Sequence, residues 1–218
     1  MKAMKPNEIK TLNSEDYSVA SKCLDNILKE DNLDSEDIKS LLTLNNKLII
    51  SDFIEGYGNF NQESLNIVED FINKNLDHDD RLFVSDLIEF ATIWNLSLNY
   101  KKCINFLKKY GNDEDYVLLA AIDYIFENLR ISEIDEIYDS LYLILHNPES
   151  NQSAQVKAAF VLFRITGKKE FLADLIDLVI NGHADNKLLL GNILSLKHNG
   201  ASYFEYFDIL KIISSKSE

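Results

Sequence analysis

The chain has little of what a turn-rich or secreted fold requires. Its 218 residues include two prolines (Pro6 and Pro148), seven glycines and two cysteines. So few helix breakers exclude a β protein built on tight turns and suit helices joined by short polar loops. Cys23 and Cys103 each fall on an apolar helical stripe, which reads as two reduced core thiols of a cytoplasmic protein rather than a disulfide framework. No apolar run reaches the roughly 18 residues of a membrane span. Met1-Lys2-Ala3-Met4-Lys5-Pro6 is basic but lacks the apolar core of a signal peptide. Positive charge is also scarce, with 22 Lys and Arg against 36 Asp and Glu, a net −14. That balance weighs against nucleic acid, whose phosphates need cations, and against anionic membranes; it is compatible with a basic partner.

What the chain does have is a hydrophobic content of 46%, enough for a core, and a near-repeat. Ser51-Asp52-Phe53-Ile54-Glu55-Gly56 returns as Ser85-Asp86-Leu87-Ile88-Glu89-Phe90, and similar second segments follow each copy. Self-similarity at a period of roughly 34 residues marks a stacked-repeat protein. Residues 1–12 read as a flexible lead-in. Helices are expected from Ser14-Glu15-Asp16 onward and again from Ser35-Glu36-Asp37, followed by five helix pairs. Their first helices fall near 46–57, 79–95, 114–129, 152–167 and 185–198, and their second helices near 61–75, 99–110, 132–147, 168–181 and 201–214. A small residue recurs inside each first helix among apolar neighbours: Ser51, Ser85, Ala120, Ala158 and Gly191. A small side chain there lets helices approach to roughly 8–10 Å. Lys157, beside Ala158, is expected to face solvent.

The stretch Gln155-Val156-Lys157-Ala158-Ala159-Phe160-Val161-Leu162-Phe163-Arg164-Ile165-Thr166-Gly167, with Phe171-Leu172, Leu175-Ile176 and Leu178-Val179 behind it, resembles a HEAT-like repeat. The other repeats share its shape and period, and the landmarks of tetratricopeptide repeats are absent. The resemblance implies an all-α fold, a right-handed α-solenoid of about six antiparallel helix pairs, forming a single domain over 13–218.

No catalytic constellation, metal site or cofactor motif emerges. His78 stands among Asp77, Asp79 and Asp80, but consecutive residues do not converge on one ion, and Asp79 or Asp80 reads as a helix cap. His146 and His198 fall near helix C-termini, which favour an imidazolium. HEAT-like DNA glycosylases are the enzyme precedent for the implied fold, with a basic, aromatic concave surface. Here the balance is acidic, and the one tryptophan, Trp94, reads as core beside Phe90 and Ile93.

Charge placement stands above background. Residues 112–149 carry ten acids (Asp113, Glu114, Asp115, Asp123, Glu127, Glu133, Asp135, Glu136, Asp139 and Glu149) against one base, Arg130. The segment before them is basic, with Lys101, Lys102, Lys108 and Lys109. Three successive second helices carry an acid pair three residues apart: Glu136 with Asp139, Asp174 with Asp177, and Glu205 with Asp208. Each pair lies opposite its helix's apolar stripe. The HEAT-like resemblance implies that this side is the concave face, so the six carboxylates form a candidate partner-binding ladder. Tyr138, Tyr142, Tyr203 and Tyr206 stand nearby, Tyr138 on the core side. The expectation is a non-enzymatic module that holds a basic protein, in kind like the immunity proteins and antitoxins that mask basic enzymes. The alternatives are a scaffold or regulatory subunit with a neutral partner, whose acids serve solubility, and a glycosylase-type enzyme.

Overall fold

The computed structural model describes residues 4–29, 33–109 and 116–182. Among these the chain is all helical: α1 (Pro6–Leu12), α2 (Tyr17–Leu28), α3 (Ser35–Leu42), α4 (Lys47–Gly56), α5 (Gln62–Asn75), α6 (Arg81–Ile93), α7 (Tyr100–Lys109), α8 (Tyr116–Glu127), α9 (Ile134–His146), α10 (Gln152–Thr166) and α11 (Lys169–Asn181). A 3-10 turn, Ile131–Glu133, leads into α9. No described helix is long and apolar enough to cross a membrane. The expected helices over 185–198 and 201–214 lie outside the described residues, as does Gly191.

Short polar side chains set the helix starts by accepting from otherwise unpaired N–H groups. Asp16 accepts from Ser18 and Val19, Asp34 from Glu36 and Asp37, and Asn61 from Ser64. Of the two candidates before α6, Asp80 is the cap, accepting from Phe83 at 3.2 Å. His78 Nδ1 accepts from the Asp80 N–H at 3.0 Å, and its ring packs edge-on to Phe83. Helix α10 stops at Gly167, whose φ of 67° turns the chain left-handed.

The lead-in departs from expectation. Pro6–Leu12 is a helix, with Pro6 in its first turn and Leu12 fully buried. Its start is tied down where the Met4 N–H donates to Asp37 Oδ1 at 2.8 Å. One buried side chain in seven residues leaves no periodicity to read.

The chain divides between Asn99 and Tyr100 into two compact units. In the first, α2 packs on α4 and α4 on α6, while α3 packs on α5. In the second, α8 packs on α10 and α7 on α9, and α10 also lies against α9 and α11. Alternate helices therefore stack within each unit. The predicted small residues Ser51, Ser85, Ala120 and Ala158 are all buried.

Polar rungs accompany the stacking. Tyr17 Oη donates to Asp52 Oδ2 at 2.7 Å, 35 residues away. The Ser51 side chain hydrogen-bonds Asp86, one repeat on. In the second unit Lys157 Nζ pairs with Asp123 Oδ2 and also donates to the Leu119 carbonyl. Lys157 is thus not solvent-facing as expected but 7% exposed. Every residue from Ala154 to Leu162 on α10 is buried, so this helix has no wet side over that stretch for a lysine to occupy.

An aromatic cluster closes the first unit. Phe60 lies edge-on to Phe53, Tyr57, Phe90 and Trp94, and Trp94 stacks on Phe90. Trp94 is half-buried, and Ile93, expected beside it in the core, is 79% exposed. One residue turns the helix about 100°, enough to carry Ile93 away from the cluster.

Candidate acidic interface

Helix α9 separates its two sides cleanly. Ile137, Ser140, Leu141, Ile144 and Leu145 are buried, and Asp135, Glu136, Asp139, Tyr142, Leu143 and His146 are exposed. The predicted pair Glu136 and Asp139 therefore faces solvent. On α11, Phe171, Leu175, Ile176 and Val179 are buried, Asp177 is exposed and Asp174 is half-buried. Asp174 and Asp177 border an open hollow together with Leu172, Ile176 and Ile180. Glu205 and Asp208, the third predicted pair, lie outside the described residues.

Aromatic rings join α9 to α11. Tyr138 and Tyr142 stack at 5.9 Å between centroids, and both meet the Phe171 ring edge-on, at 6.1 and 6.4 Å. Tyr142 continues to His146 at 4.2 Å. Lys168 holds its ammonium over Tyr138 and Phe171, at 5.7 and 5.8 Å from the ring centres.

The face is less one-signed than the acid spacing suggests. Lys108 on α7 pairs with Glu136 at 2.5 Å, so the basic helix before the acidic segment supplies a counter-charge to its neighbour. Asp177 accepts from Asn181 Nδ2 at 2.7 Å, an i,i+4 bond along the same helix. Of the ten acids in 112–149, Asp123 is spent on Lys157 between packed helices; burial pushes its carboxyl up, and the ammonium pulls it part of the way back. The same burial raises Glu127, with the Asp123 charge adding to it. Asp113, Glu114 and Asp115 lie outside the described residues.

A second crowd of carboxylates is built by the repeated motif itself. Burial raises Asp86 above the usual carboxylate range, with the Asp80 and Asp52 charges adding to the rise and the Ser51 hydrogen bond opposing it. Glu55 is raised by desolvation and then by Asp86 and Asp52. The signal for this crowd was present in the two copies of Ser-Asp-x-Ile-Glu. Stacking α4 on α6 brings the copies side by side.

Tyr142, already expected beside the acids, is joined on the exposed face of α9 by Leu143 and His146, all at helical intervals from Asp139. Among the described residues no group of three or more His, Cys, Asp or Glu side chains is placed to hold a metal ion. Cys103 is a buried free thiol pushed up to about 12 by desolvation, which makes it a poor nucleophile. No protein-family model, curated protein or solved structure matches this chain.

Proposed function

We propose that this chain is a non-enzymatic protein-binding module whose acidic face holds a basic partner protein. The observation that carries the reading is the solvent side of α9, where Asp135, Glu136 and Asp139 stand exposed together, with Asp177 exposed on α11. Like charges on one face repel, and a cationic partner relieves that repulsion. In this reading the alternating contacts within each unit belong to a right-handed HEAT-like α-solenoid of about six helix pairs. Glu205 and Asp208 then extend the ladder formed by Glu136, Asp139, Asp174 and Asp177. Masking a basic enzyme in the cytoplasm, as immunity proteins and antitoxins do, is the role such a surface fits by analogy.

The test compares three forms of the full chain in affinity capture from the source cell. One is native, one carries Glu136, Asp139, Asp174 and Asp177 changed to Lys, and one carries Glu15, Asp25, Asp70 and Asp79 changed to Lys. The last four are exposed acids of the first unit and serve as the net-charge control. The expected outcome is a partner of basic isoelectric point that the control retains and the ladder variant loses. Native binding should weaken as salt rises past roughly 0.15 M. Equal binding by both variants would reduce the face to solvated surface. The Lys108–Glu136 pair favours that second reading, a scaffold with a neutral partner, because it neutralises one rung internally.

A further inference from the structure

We propose that the partner is engaged through a bipartite strip on α9, and that the partner's own element is a basic amphipathic helix carrying a bulky apolar anchor. This rests on the reading of α9 as the binding face and adds the chemistry of what it takes. The exposed residues of α9 fall into two halves. The first holds only acids, Asp135, Glu136 and Asp139; the second holds Tyr142, Leu143 and His146. Leu143 is 70% exposed and Tyr142 42% exposed. A surface that served solubility alone would have no use for either.

The second half is also stiff. Tyr142 is clamped between Tyr138, Phe171 and His146, so it presents ring surface without losing much rotamer freedom on binding. Pre-ordered aromatic contacts of this kind carry a large share of interface energy. The rings already accept a cation from the chain itself, since Lys168 lies over Tyr138 and Phe171. The spacing completes the argument. From the middle of the acidic half to the middle of the apolar half is about seven residues, or roughly 10 Å at 1.5 Å per residue. A partner helix laid along α9 meets both halves if its lysines or arginines stand two turns from a leucine or aromatic side chain. Opposite charge fixes the cationic end over Glu136 and Asp139 and leaves the apolar end over Leu143.

Two fluorescein-labelled helical peptides of equal length and charge test this by fluorescence anisotropy against the full chain. One has a lysine pair seven residues from a Leu-Trp anchor; in the other the anchor is Ala-Ser. The anchored peptide is expected to bind about tenfold more tightly, the effect of one well-seated anchor residue. Leu143→Ser should remove that preference, bringing the anchored peptide down to the affinity of the plain one. Leu143 is mostly in solvent, so this variant folds where Tyr142→Ala, which opens the ring clamp, risks not doing so; unchanged helical circular dichroism checks it. Glu136→Lys with Asp139→Lys should weaken both peptides. If the charge reversal weakens both peptides but Leu143→Ser leaves the preference intact, or no preference exists, the anchor is refuted and the acidic face stands. If neither peptide binds, or the reversal weakens neither, the binding face itself falls and the anchor with it.

Discussion

Lys157 is the residue on which packing and sequence pattern disagree most, and Lys157→Met measures which is right. Its ammonium is paired with Asp123 on the neighbouring helix, and the two side chains are 9% and 25% exposed. Removing one partner of a fully buried pair leaves an uncompensated charge and costs about 3–5 kcal/mol. A quarter of the Asp123 side chain still reaches water, so the expected loss is nearer 2–3 kcal/mol. With a urea dependence of about 2 kcal/mol per molar, the midpoint followed by far-UV circular dichroism should fall by about 1–1.5 M. Adding Asp123→Leu to Lys157→Met removes the stranded carboxylate and should return most of the loss, because an apolar pair of similar volume is often as stable as a buried ion pair. The double-mutant cycle isolates their coupling.

The pH dependence gives an independent reading of the same pair. Burial holds the Asp123 carboxyl above its ordinary value, and Lys157 opposes that rise. Without the lysine, the folded state binds its proton up to a still higher pH, while the unfolded state releases it near an ordinary carboxylate value of about 4. Stability is then lost as pH rises through that interval. The Lys157→Met deficit should therefore be greatest at neutral pH and shrink toward pH ~4. A loss below about 0.5 kcal/mol that does not vary with pH would show that Lys157 faces solvent.

Two further perturbations address the packing and the acidic crowd. Ala120→Leu and Ala158→Leu each insert three carbons at buried positions on stacked helices, and each should cost about 1–3 kcal/mol by urea unfolding. Tolerance at both sites would contradict close approach there. Glu55→Gln removes a charge raised by desolvation and by its neighbours Asp86 and Asp52. Glu55 is exposed, so solvent screens much of this; the Tm should rise by about 1 °C at pH 7, a gain that fades on acidification as the native Glu55 itself takes up a proton. A lower Tm would mean the carboxylate is stabilised by a partner.

Helix positions were legible because caps and periodicity agree. The segments read near 61–75 and 152–167 appear as Gln62–Asn75 and Gln152–Thr166, behind Asn61 and Asn151. Amphipathic spacing likewise placed Glu136 and Asp139 on the solvent side of α9. Lys157 was misread for the converse reason. In a helix buried all round, a charged residue carries no information about the direction of water, and its meaning depends on a partner elsewhere. The cue was an acid 34 residues earlier, one repeat away. Lys108 and Glu136, 28 residues apart, lay beyond such reasoning, because the pairing follows from the register of α7 on α9 and no local spacing encodes that register.

Two sets of acids among the described residues differ in their surroundings. Asp52, Asp86 and Asp123 lie on α4, α6 and α8, and each is met by a side chain from a stacked neighbour: Tyr17, Ser51 and Lys157. These carboxylates are held in inter-helix rungs, and a variant there reports on folding. Asp135, Glu136, Asp139 and Asp177 lie on α9 and α11, exposed to solvent. A charge reversal there changes the surface field and little of the packing, apart from the Lys108 contact at Glu136. The Asp123–Lys157 pair cancels within the net −14, whereas Asp52 and Asp86 keep their charge beside the neutral hydroxyls of Tyr17 and Ser51. Screening by salt weakens exposed charges far more than buried ones, so the two classes separate experimentally. Partner binding should respond to ionic strength where the cost of Lys157→Met does not.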